Sequence, residues 1–150
     1  MINQSILQTK KIEMEATKQF FNQFVQFINT ADEDLAQQLI SPAASFHVPF
    51  QADPLQGPKG YLTIIGMMRN GFPDIQWSIE EMIAENDKVA VRFTMKGTHK
   101  GTFFNVPATG KQIAVSAMNF YRLSENQIIE EVGQPDLLGL LTQIGAVPAM

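Results

Sequence analysis

Over the first third of the chain, apolar side chains return every three or four residues. Phe20, Phe21, Phe24, Phe27 and Ile28 share one face of a helix over residues 12–29. Aromatic bulk on that face suits a helix that closes a cavity. Thr30-Ala31-Asp32-Glu33 reads as a capping box opening a shorter helix, with Leu35, Leu39 and Ile40 inward and a stop before Ser41-Pro42. Ala44–Val48 is a short strand, and residues 51–57 form a loop marked by Asp53-Pro54 and Gly57-Pro58. Pro58 heads a third helix through Tyr61, Ile64, Ile65 and Met68 to Gly71, placed for the left-handed position after a helix end, and Phe72-Pro73 terminates it.

The period then changes from 3.6 to 2. Ile75, Trp77 and Ile79 alternate, and so do Val89, Val91, Phe93 and Met95, with Asn86-Asp87 as the hairpin turn between them. Ile113, Val115, Ala117, Asn119, Tyr121 and Leu123 alternate along a longer strand, and residues 124–127 turn it into a last strand over Ile128–Val132. Helices first and four consecutive antiparallel strands afterwards predict one α+β domain over residues 1–150, a curved, mostly antiparallel sheet wrapped around the helices, with residues 1–11 as a flexible or helical extension. The segment from Gly97 to Lys111 is longer than an ordinary hairpin loop and is placed to lie over a cavity mouth.

Composition narrows the function. With 45% hydrophobic and 17% charged residues the chain has enough apolar surface for a core. A net charge of −4, with no basic stripe, argues against a nucleic-acid partner. The absence of cysteine and the wide separation of the two histidines leave no metal-ligand cluster. No apolar leader and no run near the ~18 apolar residues of a membrane span are present, so a cytoplasmic protein is expected, without metal or cofactor.

The ordered set Gly57-Pro58-Lys59-Gly60, Phe72-Pro73-Asp74-Ile75, residues 89–101, Pro107-Ala108-Thr109-Gly110-Lys111 and the stretch from Asp136 to Gly145 resembles the SnoaL-like polyketide cyclase (ester cyclase) group. That group lies in the superfamily shared by nuclear transport factor two and ketosteroid isomerase. The resemblance covers about residues 14–148. It implies a cone-shaped barrel closed by about three N-terminal helices around an apolar pocket, often dimeric, and cofactor-free aldol ring closure with an aspartate as acid/base. By its place in the final motif, Asp136 matches that aspartate. Where cyclase-like members commonly carry Glu-His-Trp, this chain reads Glu130-Glu131-Val132.

Two readings of Asp136 stand side by side. A carboxyl in a dry pocket acquires a raised pKa and serves as acid and base in turn, whereas Pro135-Asp136 ahead of an apolar helix is also an N-cap. Glu130 and Glu131 point to opposite faces, so one of them enters the cavity or both are solvated charges on an edge strand. His47, which by the resemblance falls where family members carry a polar residue at the pocket's open end, joins Asp136 and Glu131 as a candidate catalytic residue, against a satisfied histidine doing nothing chemical. Asp53 reads as a turn former, with a catalytic carboxylate as the alternative, and His99 as an exposed loop residue. Asn119 interrupts an apolar stripe and needs a partner, a ligand carbonyl or Tyr121. Trp77, Phe24, Tyr121, Phe93 and Met118 complete the ligand-binding candidates, although Met118 also falls in the outward set Ala114, Ser116, Met118 and Phe120, which seeks cover in a homodimer. The sequence thus supports a cofactor-free cyclase or isomerase acting on a small apolar carbonyl compound, with a non-catalytic dimeric module binding an apolar small molecule as the alternative.

Overall fold

In the computed structural model, which describes residues 3–49 and 51–149, helix α1 (Gln4–Thr30) lays its five predicted core residues, Phe20 to Ile28, against the inside of a curled sheet. It begins well before residue 12, because the Asn3 side chain accepts the Ile6 N–H at 2.9 Å. Of the predicted N-terminal extension, Met1 and Ile2 lie outside the described residues, and residues 4–11 are exposed helix. Ala31, with φ 56°, ends α1.

The cap of α2 (Glu33–Leu39) differs from the expected box. Thr30 still belongs to α1, its hydroxyl donating to the Gln26 carbonyl at 2.7 Å, and the Asp32 carboxylate accepts the Leu35 N–H at 3.0 Å instead. Strand β1 (Ile40–His47) follows at once, through Pro42. Then come β2 (Leu55–Gln56), α3 (Gly57–Gly71), β3 (Gln76–Glu85), β4 (Lys88–Thr98), β5 (Gln112–Ser124), β6 (Gln127–Pro135) and α4 (Leu137–Gln143).

The six strands form one sheet in the order β2-β1-β6-β5-β4-β3. The four-strand meander has the predicted antiparallel pairing, with Asn86 (φ 56°) and Glu125-Asn126 (φ 51° and 61°) in the turns. The sheet curls around α1 and α3 without β2 and β3 meeting, which gives an open α+β cone. The parallel pairing of β1 with β6 was not anticipated, and it corrects the placing of the last strand: β6 lies inside the sheet, not at its edge. Strands so far apart in sequence carry no local signal of their pairing.

Two apolar clusters fill the cone. One joins the α1 phenylalanines to Leu39, Phe46, Tyr61, Val91 and Phe93; the other gathers Phe72, Ile75, Met95, Phe103, Val115 and Leu140, and Trp77 packs against both. Gly71 does not take the left-handed conformation expected of it. It is buried, and a Cβ there would lie 3.0 Å from the Phe103 ring, so its smallness is needed for packing. Gly57, at φ +68° against the Pro42 carbonyl, is where glycine's freedom is used. Among the described residues, no helix is long and apolar enough to cross a membrane.

Candidate active site

Because β6 runs between β1 and β5, Glu131 sits in the middle of the sheet's concave face, opposite Phe46 on one side and Tyr121 on the other. Only 3% of the residue is exposed. A carboxylate so placed needs donors, and they come from two elements. The Tyr61 hydroxyl of α3 donates to Glu131 Oε1 at 3.1 Å, and Asn119 Nδ2 of β5 donates to the same oxygen at 3.0 Å. Asn119 Nδ2 also donates to the Tyr121 hydroxyl at 3.1 Å, while Asn119 Oδ1 accepts the Gln134 N–H at 3.3 Å. Gly133, directly across from Asn119, leaves space for that amide: a Cβ there would lie 3.2 Å from Asn119 Oδ1.

Burial dominates the electrostatics. It pushes the Glu131 carboxyl from 4.5 up to about 7, and the hydrogen bonds from Tyr121, Tyr61 and Asn119 pull it only partly back. Burial, reinforced by the Glu131 charge, holds both tyrosine hydroxyls well above the ordinary tyrosine value, so they remain protonated donors. Among the described residues, no basic side chain contributes to this cluster.

Glu131, Tyr61 and Asn119 form the polar floor of a cavity of ≈ 320 Å³. Ile64, Ile65, Met68, Trp77, Met95 and Leu140 make its apolar walls, and the exposed residues Met67, Asn70, Thr102 and Phe104 lie at its mouth. The loop between β4 and β5 thus edges the cavity, as expected. Trp77 is fixed by an asparagine that imitates a strand: Asn29 of α1 accepts its N–H at 2.7 Å and donates to its carbonyl at 3.0 Å.

The remaining candidates are distributed differently. Phe24, Tyr121 and Phe93 are buried behind the wall rather than on it; the Phe24 ring packs edge-on against Tyr61 at 5.4 Å and Tyr121 at 5.6 Å. Met118 is 60% exposed on the convex face, because its neighbours Ala117 and Asn119 point in. His47 is exposed for the same reason, one residue beyond inward-facing Phe46. Asp53 is exposed in a bend. The Asp136 carboxylate is exposed too and accepts the Gly139 N–H at 2.9 Å as the cap of α4; Pro135 and Leu137 line the cavity, but it does not. His99 is fully buried, against expectation, because the loop folds back on α3: its Nδ1 accepts the Thr109 N–H at 3.2 Å and its ring lies 5.3 Å from that of Phe72.

The SnoaL-like polyketide cyclase profile matches residues 18–144. The chain belongs to this family. Among solved structures of the fold, IdmH from Streptomyces antibioticus, a candidate polyketide cyclase, shares 26% identity and superposes with a TM-score of 0.77 over 85% of this chain and 97% of its own. TsrD from Streptomyces laurentii is 22% identical, with a TM-score of 0.78 over 89% of this chain and 97% of its own, a likeness of fold. No functionally curated protein matches the sequence. Among the described residues of this SnoaL-like chain, then, the buried carboxyl inside the cone is Glu131.

Tyr61 and the mouth residues Asn70, Thr102 and Phe104 were not singled out as site residues from sequence. Tyr61 offered a signal, since a hydroxyl on the buried stripe of a helix must find a partner. Nothing local pointed to the mouth.

Proposed function

We propose that this SnoaL-like protein is a cofactor-free cyclase or isomerase for a small apolar carbonyl compound, and that Glu131 is its acid/base. The observation that carries this reading is a buried carboxyl on the cavity floor whose pKa is raised to about 7. Near neutral pH both of its protonation states are populated, which is the condition for taking a proton in one step and returning it in the next. In an aldol closure the Glu131 carboxylate removes the proton on the carbon beside a carbonyl. The enolate carbon then bonds to a second carbonyl carbon, and the resulting alkoxide takes the proton back from Glu131. No net proton or electron is consumed. For an isomerisation the same carboxyl returns the proton to a different carbon.

Tyr61 is placed to assist. Its hydroxyl already faces Glu131 in the cavity and stays protonated, so turned towards a substrate oxygen it stabilises the developing enolate. Asn119 spends its amide hydrogens on Glu131 and Tyr121 and its carbonyl on Gln134, so it positions the carboxyl rather than meeting the substrate. Asp136 serves as the cap of α4.

The decisive experiment follows deuterium exchange at the methyl group of 2-acetylnaphthalene, an enolisable apolar ketone, in D₂O by NMR. Exchange by the wild type, lost in Glu131→Gln and retained in Asp136→Asn, is the expected result. The reverse ranking with both variants folded transfers the chemistry to Asp136, and binding without exchange by any form favours a non-catalytic module.

The convex face supports a homodimer as part of the same proposal. Met118 and Phe120 on β5 are 60% and 65% exposed, and Val132, cross-strand from Phe120, is 39% exposed. Together they form an apolar patch that a second copy would cover. Phe120→Glu is expected to turn a dimer in sedimentation into a monomer; a wild type that sediments as a monomer at micromolar concentration contradicts it.

A further inference from the structure

The hairpin at the cavity mouth has an unusual residue at its tip. Phe103 and Val106 exchange both backbone hydrogen bonds, at 3.0 and 2.8 Å, which leaves Phe104 and Asn105 as a two-residue turn. Both are left-handed, with φ 46° and 62°. Turns of this kind select Asn, Asp or Gly, because positive φ crowds a Cβ against the backbone. Asn105 obeys that rule, whereas a phenylalanine at positive φ is an outlier. Among the described residues, a second two-residue left-handed turn, Glu125-Asn126, uses polar residues only.

The frame beneath the turn is fixed. The N–H groups of Lys100 and Gly101 both donate to the Gly71 carbonyl, at 3.0 and 3.1 Å, and a Cβ at Gly101 would collide with the Asn70 carbonyl. Phe103 is buried, with its ring 5.2 Å from Phe72 and 4.6 Å from Phe104, edge-on to both. The Phe104 ring is therefore presented by a well-packed support, lines the cavity, and is still 46% exposed. The turn alone would be better served by an asparagine, so the phenylalanine is kept for what its ring does, packing on Phe103 and lining the cavity.

We propose that Phe104 is a specificity-determining residue: its ring, kept at the mouth against backbone preference, covers the outer end of an apolar ligand whose inner end meets Glu131. This rests on the reading of the cavity as the substrate site. A compound long enough to reach Phe104 is held at both ends, and a shorter one is not.

The test uses binding alone, so that it stands apart from the chemistry. In a Glu131→Gln background, the affinity for 2-acetylnaphthalene is measured by calorimetry with Phe104 intact, with Phe104→Asn and with Phe104→Ala. Both substitutions are expected to weaken binding tenfold or more. Phe104→Asn is expected to melt roughly 2–4 °C above Phe104→Ala, since both lose the ring and only asparagine tolerates the left-handed turn. Affinity unchanged within twofold, equal melting temperatures, or no binding by the parent overturns the proposal. Loss of binding at Phe104 together with no deuterium exchange by the wild type would sink the catalytic reading and leave this one standing.

Discussion

Glu131 and Asp136 lie five positions apart at the end of the chain, and their surroundings could hardly differ more. Glu131 faces inward from a central strand, is buried, and receives donors from a tyrosine on α3 and an asparagine on β5. Asp136 stands just beyond the strand, exposed, with its carboxylate spent on the first turn of α4. Burial desolvates the Glu131 carboxyl, whereas Asp136 faces solvent, so in the proposed reading the acid/base is chosen by place in the sheet rather than by the motif in which it stands.

The comparison breaks first at Glu131→Gln. Steady-state turnover of any accepted substrate should fall about 10²–10⁴-fold, the usual worth of general acid/base catalysis. At Asp136→Asn it should change by less than a few-fold.

The next largest effect is on stability against pH. The folded-state pKa of Glu131 is raised, so the native chain binds a proton more tightly than the unfolded one. The stability this contributes is complete below about 4.5 and is lost as pH rises through about 7. A shift from 4.5 to about 7 corresponds to about 3 kcal/mol. Urea titrations between pH 5 and 8.5 should show this decline, and Glu131→Gln should abolish it and be the more stable protein at the alkaline end.

Tyr61→Phe sharpens the account at the donor. Removing a hydrogen bond that favours the carboxylate should move the midpoint of the pH–rate profile upward, and kcat should drop as well. An unmoved midpoint would separate Tyr61 from Glu131. The smallest effect is expected at the cap: Asp136→Ala should cost about 1 kcal/mol, seen as a small fall in melting temperature with the pH dependence of stability intact.

Much of this was legible in the sequence where the pattern is local. The alternation along β5 placed Asn119 and Tyr121 inward, the spacing in α1 found its buried phenylalanines, and Trp77 emerged on the cavity wall. The same alternation, applied to His47 and Met118, would have pointed both outward. The family motif contains Asp136, whose capping role depends on Gly139 three residues on, where a Cβ would collide with the carboxylate. What stayed hidden is non-local. The parallel contact of β1 with β6 turns an apparent edge strand into the sheet's interior, and Tyr61 reaches Glu131 across 70 positions of sequence. His99 is buried only because the loop after β4 folds back on α3.

The central claim is that Glu131 titrates near neutrality, and carboxyl-carbon NMR against pH measures it directly, with Glu131→Gln assigning the resonance. A midpoint close to 7, with Tyr61→Phe raising it, is the predicted result. A midpoint at or below the ordinary glutamate value of ~4.3 would mean that the carboxyl is ionised throughout the working range, and it would contradict the account.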